Sequence, residues 1–277
     1  SIRAFERVGS TQRWLYTHRG GKWCTYYSEE ALAAQERFFD HFLKEEDNGM
    51  DSQLPVRLEV REDRDTIHAV RHEESWPPPA VEWTELFLGA DGRLSADAPD
   101  DGMVELESGG RATWTWTVPS DLELSGPMAL RLRVSLEGAH DANLFAGVEK
   151  WRAGRFVPFE GSYGYGLDRV TSGWLKLSQR ELDPELSRPF APVGRDTARR
   201  PIAPGEIVRA EIALGPSATF FRAGEQVRLV LSGRWMQPRN PVTGQFPAAY
   251  EPSPGCTIRV HCGGEPPPRL LVPLIGS

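Results

Sequence analysis

The sequence is poor in cysteine, in positive charge and in long apolar runs. Each shortage removes a class of protein. Three cysteines in 277 residues are too few, and odd in number, for a disulfide scaffold. Cys256 and Cys262 fall six apart on one expected strand, about 20 Å at ~3.3 Å per residue and far beyond a disulfide's reach. Cys24 stands alone. A reducing, cytoplasmic setting is the resulting expectation. No apolar run approaches the ~18 residues that a membrane-spanning helix needs, and the first residues carry no charged-then-apolar leader pattern. Lysine and arginine number 32 against 39 aspartates and glutamates, a net charge of −7. That balance argues against nucleic acid or an anionic membrane as the main partner. Ser1 in place of a Met fits a cut or truncated chain better than a native start.

Helical periodicity is scarce too. Only Ser28 to Lys44 reads as a long helix. Ser28 suits the N-cap, and Glu29 and Glu30 place negative charge in the first turn, where the helix dipole favours it. Leu32, Phe39, Phe42 and Leu43 form an apolar stripe, with Ala31, Ala34 and Phe38 beside it, and such a stripe must pack on something. Gly49 supplies a stop signal beyond it. From about residue 54 the period changes to two. Val56, Leu58 and Val60 alternate with Arg57, Glu59 and Arg61, and similar alternations cover 114–118, 128–136, 208–214, 227–231 and 258–262. This is the pattern of half-buried antiparallel strands with a polar outer face.

What the chain has in plenty is turns. Its 27 glycines and 23 prolines make up about 18% of the residues against a usual ~12%. Turn signals stand at Asp91-Gly92, Gly109-Gly110, Ser125-Gly126-Pro127, Ala203-Pro204-Gly205 and Ala223-Gly224-Glu225. Roughly ten strands without intervening helices predict a β-sandwich or barrel. Two proline-rich loops, 184–204 and 236–254, are long enough to be functional or docked on a neighbour. Nine tryptophans are a heavy load, and indoles are generally spent on packing or on binding faces.

Chemistry of the chain's own is hard to find. There is no G-x-S-x-G nucleophile elbow. GSYGYG at 161–166 is the nearest string, and Ser162 lacks its flanking pattern. His68 and His72 share a strand, His140 sits by a turn, and no H-E-x-x-H or C-x-x-C occurs. Alternation puts His261 and Cys262 on opposite faces. Asp47 to Asp51 lacks the register and final Glu of a calcium loop. No metal and no cofactor is therefore expected. His18 stands apart from the other histidines. It ends the strand-like stretch Trp14-Leu15-Tyr16-Thr17 and precedes Arg19-Gly20-Gly21. A catalytic base is often displayed on such a loop, although a plain structural histidine is the commoner case.

A resemblance adds to this. WLYTHRGGKWCTYYSEEALAAQERFFDHFLK (14–44), EDNGM (46–50) and PVRLEVRE (55–62) resemble the cocaine-esterase-like (CocE/NonD) acyl hydrolases, relatives of the Xaa-Pro dipeptidyl-peptidases. ESWPPP (74–79), TELFLGADGRLS (84–95), SGWLKLSQRELD (172–183), FRAGEQVRLVLSGRW (221–235) and HCGGEPPPRLLVPLI (261–275) resemble that family's C-terminal non-catalytic domain. The resemblance implies a jelly-roll β-sandwich of galactose-binding-like type over 51–277. It implies that residues 1–50 are the end of an α/β-hydrolase domain, comprising its last strand, histidine loop and final helix. The triad order in such enzymes is Ser, Asp, His, so His18 is matched to the base, with the nucleophile and acid in an upstream catalytic domain. Relatives usually carry Gly after the helix, where this chain has Glu45.

Two main readings follow. One is the C-terminal portion of a serine hydrolase acting on small esters, amides or Xaa-Pro peptides, inactive alone, its sandwich shaping the active-site entrance. The other is a stand-alone jelly-roll module that binds carbohydrate through exposed tryptophans. An independent enzyme of another type is disfavoured by the missing motifs. The hydrolase reading predicts an apolar surface on 1–50, from Trp14, Tyr16, Phe38, Phe39 and Phe42. Oligomeric state and the choice between ester and peptide stay open.

Overall fold

A computed structural model describes residues 2–161, 166–236 and 253–276. Ser162 and nearly all of the 236–254 loop lie outside the described residues. Three helices lead: α1 (Ile2–Arg7), α2 (Lys22–Tyr26) and α3 (Glu29–Lys44), with β1 (Leu15–Tyr16) between the first two. Strands follow as β2 (Val56–Arg61), β3 (Ile67–Glu73), β4 (Glu82–Leu88), β5 (Leu94–Ser95), β6 (Met103–Glu107) and β7 (Arg111–Thr117). Next come β8 (Leu122–Glu137), β9 (Asn143–Arg152), β10 (Arg155–Val157), β11 (Phe159–Glu160), β12 (Leu167–Asp168) and β13 (Thr171–Lys176). The last are β14 (Val208–Phe221), β15 (Gln226–Ser232), β16 (Thr257–His261) and β17 (Arg269–Gly276).

The strands build a β-sandwich. One sheet runs β1-β2-β14-β8-β17-β4-β5, with β3 added to β2 and β16 joining β8 to β6. The other runs β10-β9-β15-β7, with β13 on β9. A single core lies between them: Leu130, Leu132, Ile212 and Leu270 from the first sheet meet Trp114, Leu144, Val148 and Leu229 from the second. Of these, Leu130, Leu132, Ile212, Trp114 and Leu229 are period-two residues read from the sequence. A smaller cluster of Leu15, Val56, Leu58, Val60, Trp76 and Phe220 closes the end that carries the N-terminal segment.

Four of the five turn signals sit between strands. Gly92, Gly205 and Gly224 adopt left-handed φ values of 79°, 76° and 82°, where glycine is favoured. Ser125-Gly126-Pro127 is the exception, because β8 runs straight through it. Pro127 cannot donate to a ladder, and the pairing is irregular here on both flanks, between Leu214 and Ser217 of β14 and between Leu271 and Leu274 of β17. Gly126 is needed for close approach, since a Cβ there would stand 2.8 Å from Cβ of Pro273. Gly-Pro marks an interruption of pairing in this strand and not its end.

A second correction concerns β2. Its alternation suggested a solvent-facing row of Arg57, Glu59 and Arg61, yet all six of its residues are buried. The N-terminal segment covers that outer row.

Helix α3 forms as its sequence dictates. Ser28 Oγ accepts from the Ala31 N–H at 3.3 Å, and Glu29 and Glu30 occupy the first turn. Its apolar stripe, however, is only partly covered among the described residues. Ala31 is its one buried residue, while Phe39 is 52% and Leu43 75% exposed. Phe38 and Phe42 gather around Trp14 with ring centroids about 6.0 Å away, and this aromatic group remains open on one side. Loop 184–204 is docked, with Phe190 stacked on Trp83 of β4 at 4.3 Å.

Candidate active site

β1 enters the larger sheet parallel to β2, pairing Leu15 with Val56 and Tyr16 with Arg57. The ladder ends at Thr17, whose N–H reaches the Arg57 carbonyl at 3.0 Å. Further along the same edge β14 takes over, pairing Thr219 with Arg61. Between these two partners the edge of β2 is open, and the chain at 17–20 lifts away from it. The result is a cleft of about 630 Å³ lined by His18, Thr17, Glu59, Trp76, Asp168 and Ser217, among others.

His18 stands at this cleft with an exposed side chain and no hydrogen bond to any described residue. Its neighbours are held firmly. Thr17 Oγ1 accepts from the Glu59 N–H at 2.9 Å, and the Arg57 guanidinium donates to the Thr17 carbonyl at 3.0 Å. On the other side the Arg19 N–H donates to Glu59 Oε1 at 3.0 Å. The Arg19 guanidinium reaches across to the sandwich. It donates to the Val170 carbonyl at 2.7 Å, to Ser217 Oγ at 3.2 Å and to the Arg169 carbonyl, and lies over the Phe159 ring at 4.4 Å. Burial pushes its pKa down to about 10, an effect that Asp168 opposes and Arg61 reinforces; it stays charged at neutral pH.

Gly20, just after the loop histidine, is closely packed. A Cβ there would fall 2.8 Å from Thr25 Oγ1 of α2 and 3.4 Å from the Arg61 guanidinium. On the far side of the loop, Arg57 forms a bidentate pair with Glu30 of α3 at 2.6 and 2.8 Å and packs over the Tyr16 ring at 4.1 Å. Its hydrogen bonds hold the Glu30 carboxyl below the usual carboxylate range. Trp76 floors the cleft, buried, its indole N–H without an acceptor among the described residues.

The remaining histidines are scattered. His68 stacks on Phe220 at 3.7 Å, His140 Nδ1 lies 2.9 Å from the Ile202 carbonyl, and His41 Nε2 is 3.3 Å from Asp51 at the exit of α3. Among the described residues no three potential metal ligands gather. His261 does meet a serine, with Nε2 2.8 Å from Ser135 Oγ. Burial, then Arg133 and Arg259, push its pKa down. Ser135 is buried within the sheet, and no carboxylate pairs with the ring among the described residues, so this contact clips β8 to β16 and does not form an acyl-transfer pair.

Of the residues around the cleft, sequence reading singled out His18 alone. Glu59 and Thr17 escaped it, because alternation marks an outer row but not what covers it. Arg57, Glu59 and Arg61 in one strand were the available signal.

The geometry has a counterpart in known proteins. A family model described as the X-Pro dipeptidyl-peptidase C-terminal non-catalytic domain matches residues 48–271. A solved CocE/NonD family hydrolase from Staphylococcus aureus superposes with a TM-score of 0.95 at 30% identity, covering 99% of this chain and 51% of that one. A protein of Mycobacterium bovis named as a candidate serine esterase is 26% identical over 86% of this chain and 40% of its own length. A solved aminopeptidase from a marine-sediment thaumarchaeon, at 19% identity and a TM-score of 0.61, shares the fold alone. The chain thus spans about half or less of the relatives it matches. Among the described residues no helix is long and apolar enough to cross a membrane.

Proposed function

This chain belongs to the X-Pro dipeptidyl-peptidase C-terminal non-catalytic domain family, and we propose that it works as the C-terminal portion of a serine hydrolase acting on small esters, amides or Xaa-Pro peptides. Residues 1–50 are read as the end of the α/β-hydrolase domain and 51–277 as the domain that braces it, wired as a jelly roll. His18 is the general base. It would take the proton from a serine hydroxyl as that oxygen attacks the acyl carbon, then return it to the leaving group. Nucleophile and acid belong to the catalytic domain, whose core the open face of α3 would complete. The three unpaired cysteines accord with the cytoplasm.

One observation carries the reading: an exposed histidine, free of hydrogen bonds to described residues, at a cleft between a hydrolase-like strand–helix segment and the sandwich. A carbohydrate module would have no use for that segment or for the bare aromatic face beside it.

In the protein carrying its catalytic domain, His18→Ala should lower kcat on p-nitrophenyl esters or Xaa-Pro anilides by at least ~10³-fold, the usual scale for a triad member. His41→Ala should stay within a few-fold while folded. The 277-residue chain alone should hydrolyse neither substrate above buffer. Turnover by the lone chain, with a phosphonate ester labelling one of its own serines, would overturn the reading.

A further inference from the structure

We propose that Glu59, a residue of the sandwich, is a positioning residue for His18, so that the non-catalytic domain sets the reach of the catalytic base. This rests on the assignment of His18 as that base.

The loop makes His18 unusual among displayed residues. Its ring has no hydrogen bond to any described residue, so what fixes it locally is its backbone. That backbone is fastened immediately before and immediately after the histidine, and both fastenings converge on Glu59. The Glu59 N–H holds Thr17 through the threonine hydroxyl at 2.9 Å, and the Glu59 carboxylate holds the Arg19 N–H at 3.0 Å. A continued β ladder would have pulled residue 18 flat against β2. The two side chains, Thr17 and Glu59, instead stand in for ladder partners and let the loop arch into the cleft with its ends pinned.

Glu59 is itself aimed. Its Oε1 accepts from Arg61 Nε at 2.7 Å, Arg57 Nη1 lies 3.9 Å from its Oε2, and it is buried. Arg61 and, at longer range, Arg57 face this carboxylate with their guanidinium groups, and Arg19 meets it through its backbone N–H. The carboxylate therefore accepts both from the loop and from Arg61 of its own strand, which fixes its direction.

Placement of this kind has a kinetic value. A general base must lie within about 2.6 to 3.2 Å of the proton it takes, and a displacement of ~1 Å costs on the order of 10²-fold in rate. Substrate binding, made by other groups, would be little affected. Loss of Glu59 should thus appear in kcat and not in KM.

The experiment is steady-state kinetics on p-nitrophenyl esters with the protein carrying its catalytic domain. Glu59→Ala should lower kcat by about 10- to 100-fold with KM within about threefold. Glu59→Gln, which keeps an acceptor for the Arg19 N–H, should recover most of that loss. Ile258→Val, a core change far from the cleft, serves as the control for instability alone and should leave kcat unchanged. If His18→Ala is inactive while Glu59→Ala retains kcat within twofold, the positioning role falls and the base assignment stands. If His18→Ala is active, the assignment itself fails and this inference with it. Should Glu59→Ala not fold, Thr17→Val removes only the hydroxyl that holds the other side of the loop. A fall in its kcat at constant KM supports the proposal, and an unchanged kcat overturns it.

Discussion

The sandwich and the first fifty residues follow opposite rules within one chain. In the sandwich both sheets turn their apolar residues inward and meet across one core, so that Trp114, Leu130 and Leu229 are almost wholly enclosed. The first fifty residues bury only Leu15, Ala31 and Met50 among their apolar side chains and leave Trp23, Tyr27, Phe39 and Leu43 mostly open. Yet the second region is not loosely attached. Its polar groups carry the specific contacts: Arg57 to Glu30, Glu59 to Arg19, and Trp14 Nε1 to the Gln53 carbonyl at 3.2 Å. One region is held by burial of its own, and the other is fixed by hydrogen bonds at one side and presents apolar surface at the other. Contiguous apolar surface left open in this way generally marks an interface.

The comparison breaks most clearly under truncation. Trp114→Ala should cost the chain about 3–5 kcal/mol in denaturant titration, the range for emptying a packed aromatic site. Phe39→Ala, the same kind of deletion on α3, should change stability by no more than about 0.5 kcal/mol in the isolated chain. A loss above about 2 kcal/mol for Phe39→Ala would mean that the helix face is covered after all.

A charged cluster between the two sheets offers the next test. Lys150 is completely buried, donates to the Glu62 and Phe220 carbonyls at 2.7 Å each and pairs with Glu225 at 2.9 Å. Burial pushes its pKa down, and Glu225 opposes the shift. Lys150→Met fills the space but leaves two buried carbonyls without this donor, while Glu225 keeps Arg152 and the Arg222 N–H, so a loss of about 2–4 kcal/mol is expected. The same cluster shapes the acid limb. A hydrogen bond from Arg222 is the main reason that Glu62 stays below its ordinary 4.5. A carboxylate depressed on folding contributes stability that is fully present above 4.5 and is lost as pH falls through its folded value. Glu62→Gln should therefore flatten the decline below 4.5 in a stability-versus-pH titration, and an unchanged slope would refute the pairing.

The regions also differ in how legible they were. Period-two alternation gave the sandwich because inward and outward faces are written residue by residue, as in Met128 to Leu136. It misread Ser125-Gly126-Pro127, because proline and glycine mark an interrupted ladder as readily as a chain reversal, and the choice depends on β14 and β17, far away in sequence. His18 was visible as a loop residue after a strand. Glu59 was not, since the loop that buries it lies 40 residues earlier, and a charged residue on an outer row looks the same whether it meets water or a neighbour. Local patterns expose what each segment can do alone, whereas the site arises where two segments meet.

A smaller stabilising effect sharpens the comparison at the end of α3. Glu45 follows Lys44 in the left-handed region at φ 58°, with its N–H directed to the Asp40 carbonyl. A side chain in that region costs about 1–2 kcal/mol, which glycine avoids. A carboxylate beside the helix C-terminus adds an unfavourable dipole contact of about 0.3–1 kcal/mol. Against this, glycine gives the unfolded chain more freedom, worth roughly 0.4–1 kcal/mol. The balance favours Glu45→Gly by on the order of 1 kcal/mol. That gain should appear as slower amide exchange in 29–44, with exchange in β8 and β15 unaltered. Equal slowing in both regions would mean that α3 unfolds only together with the sandwich, as one cooperative unit; slowing confined to the helix would show that it opens alone, as its incomplete burial predicts.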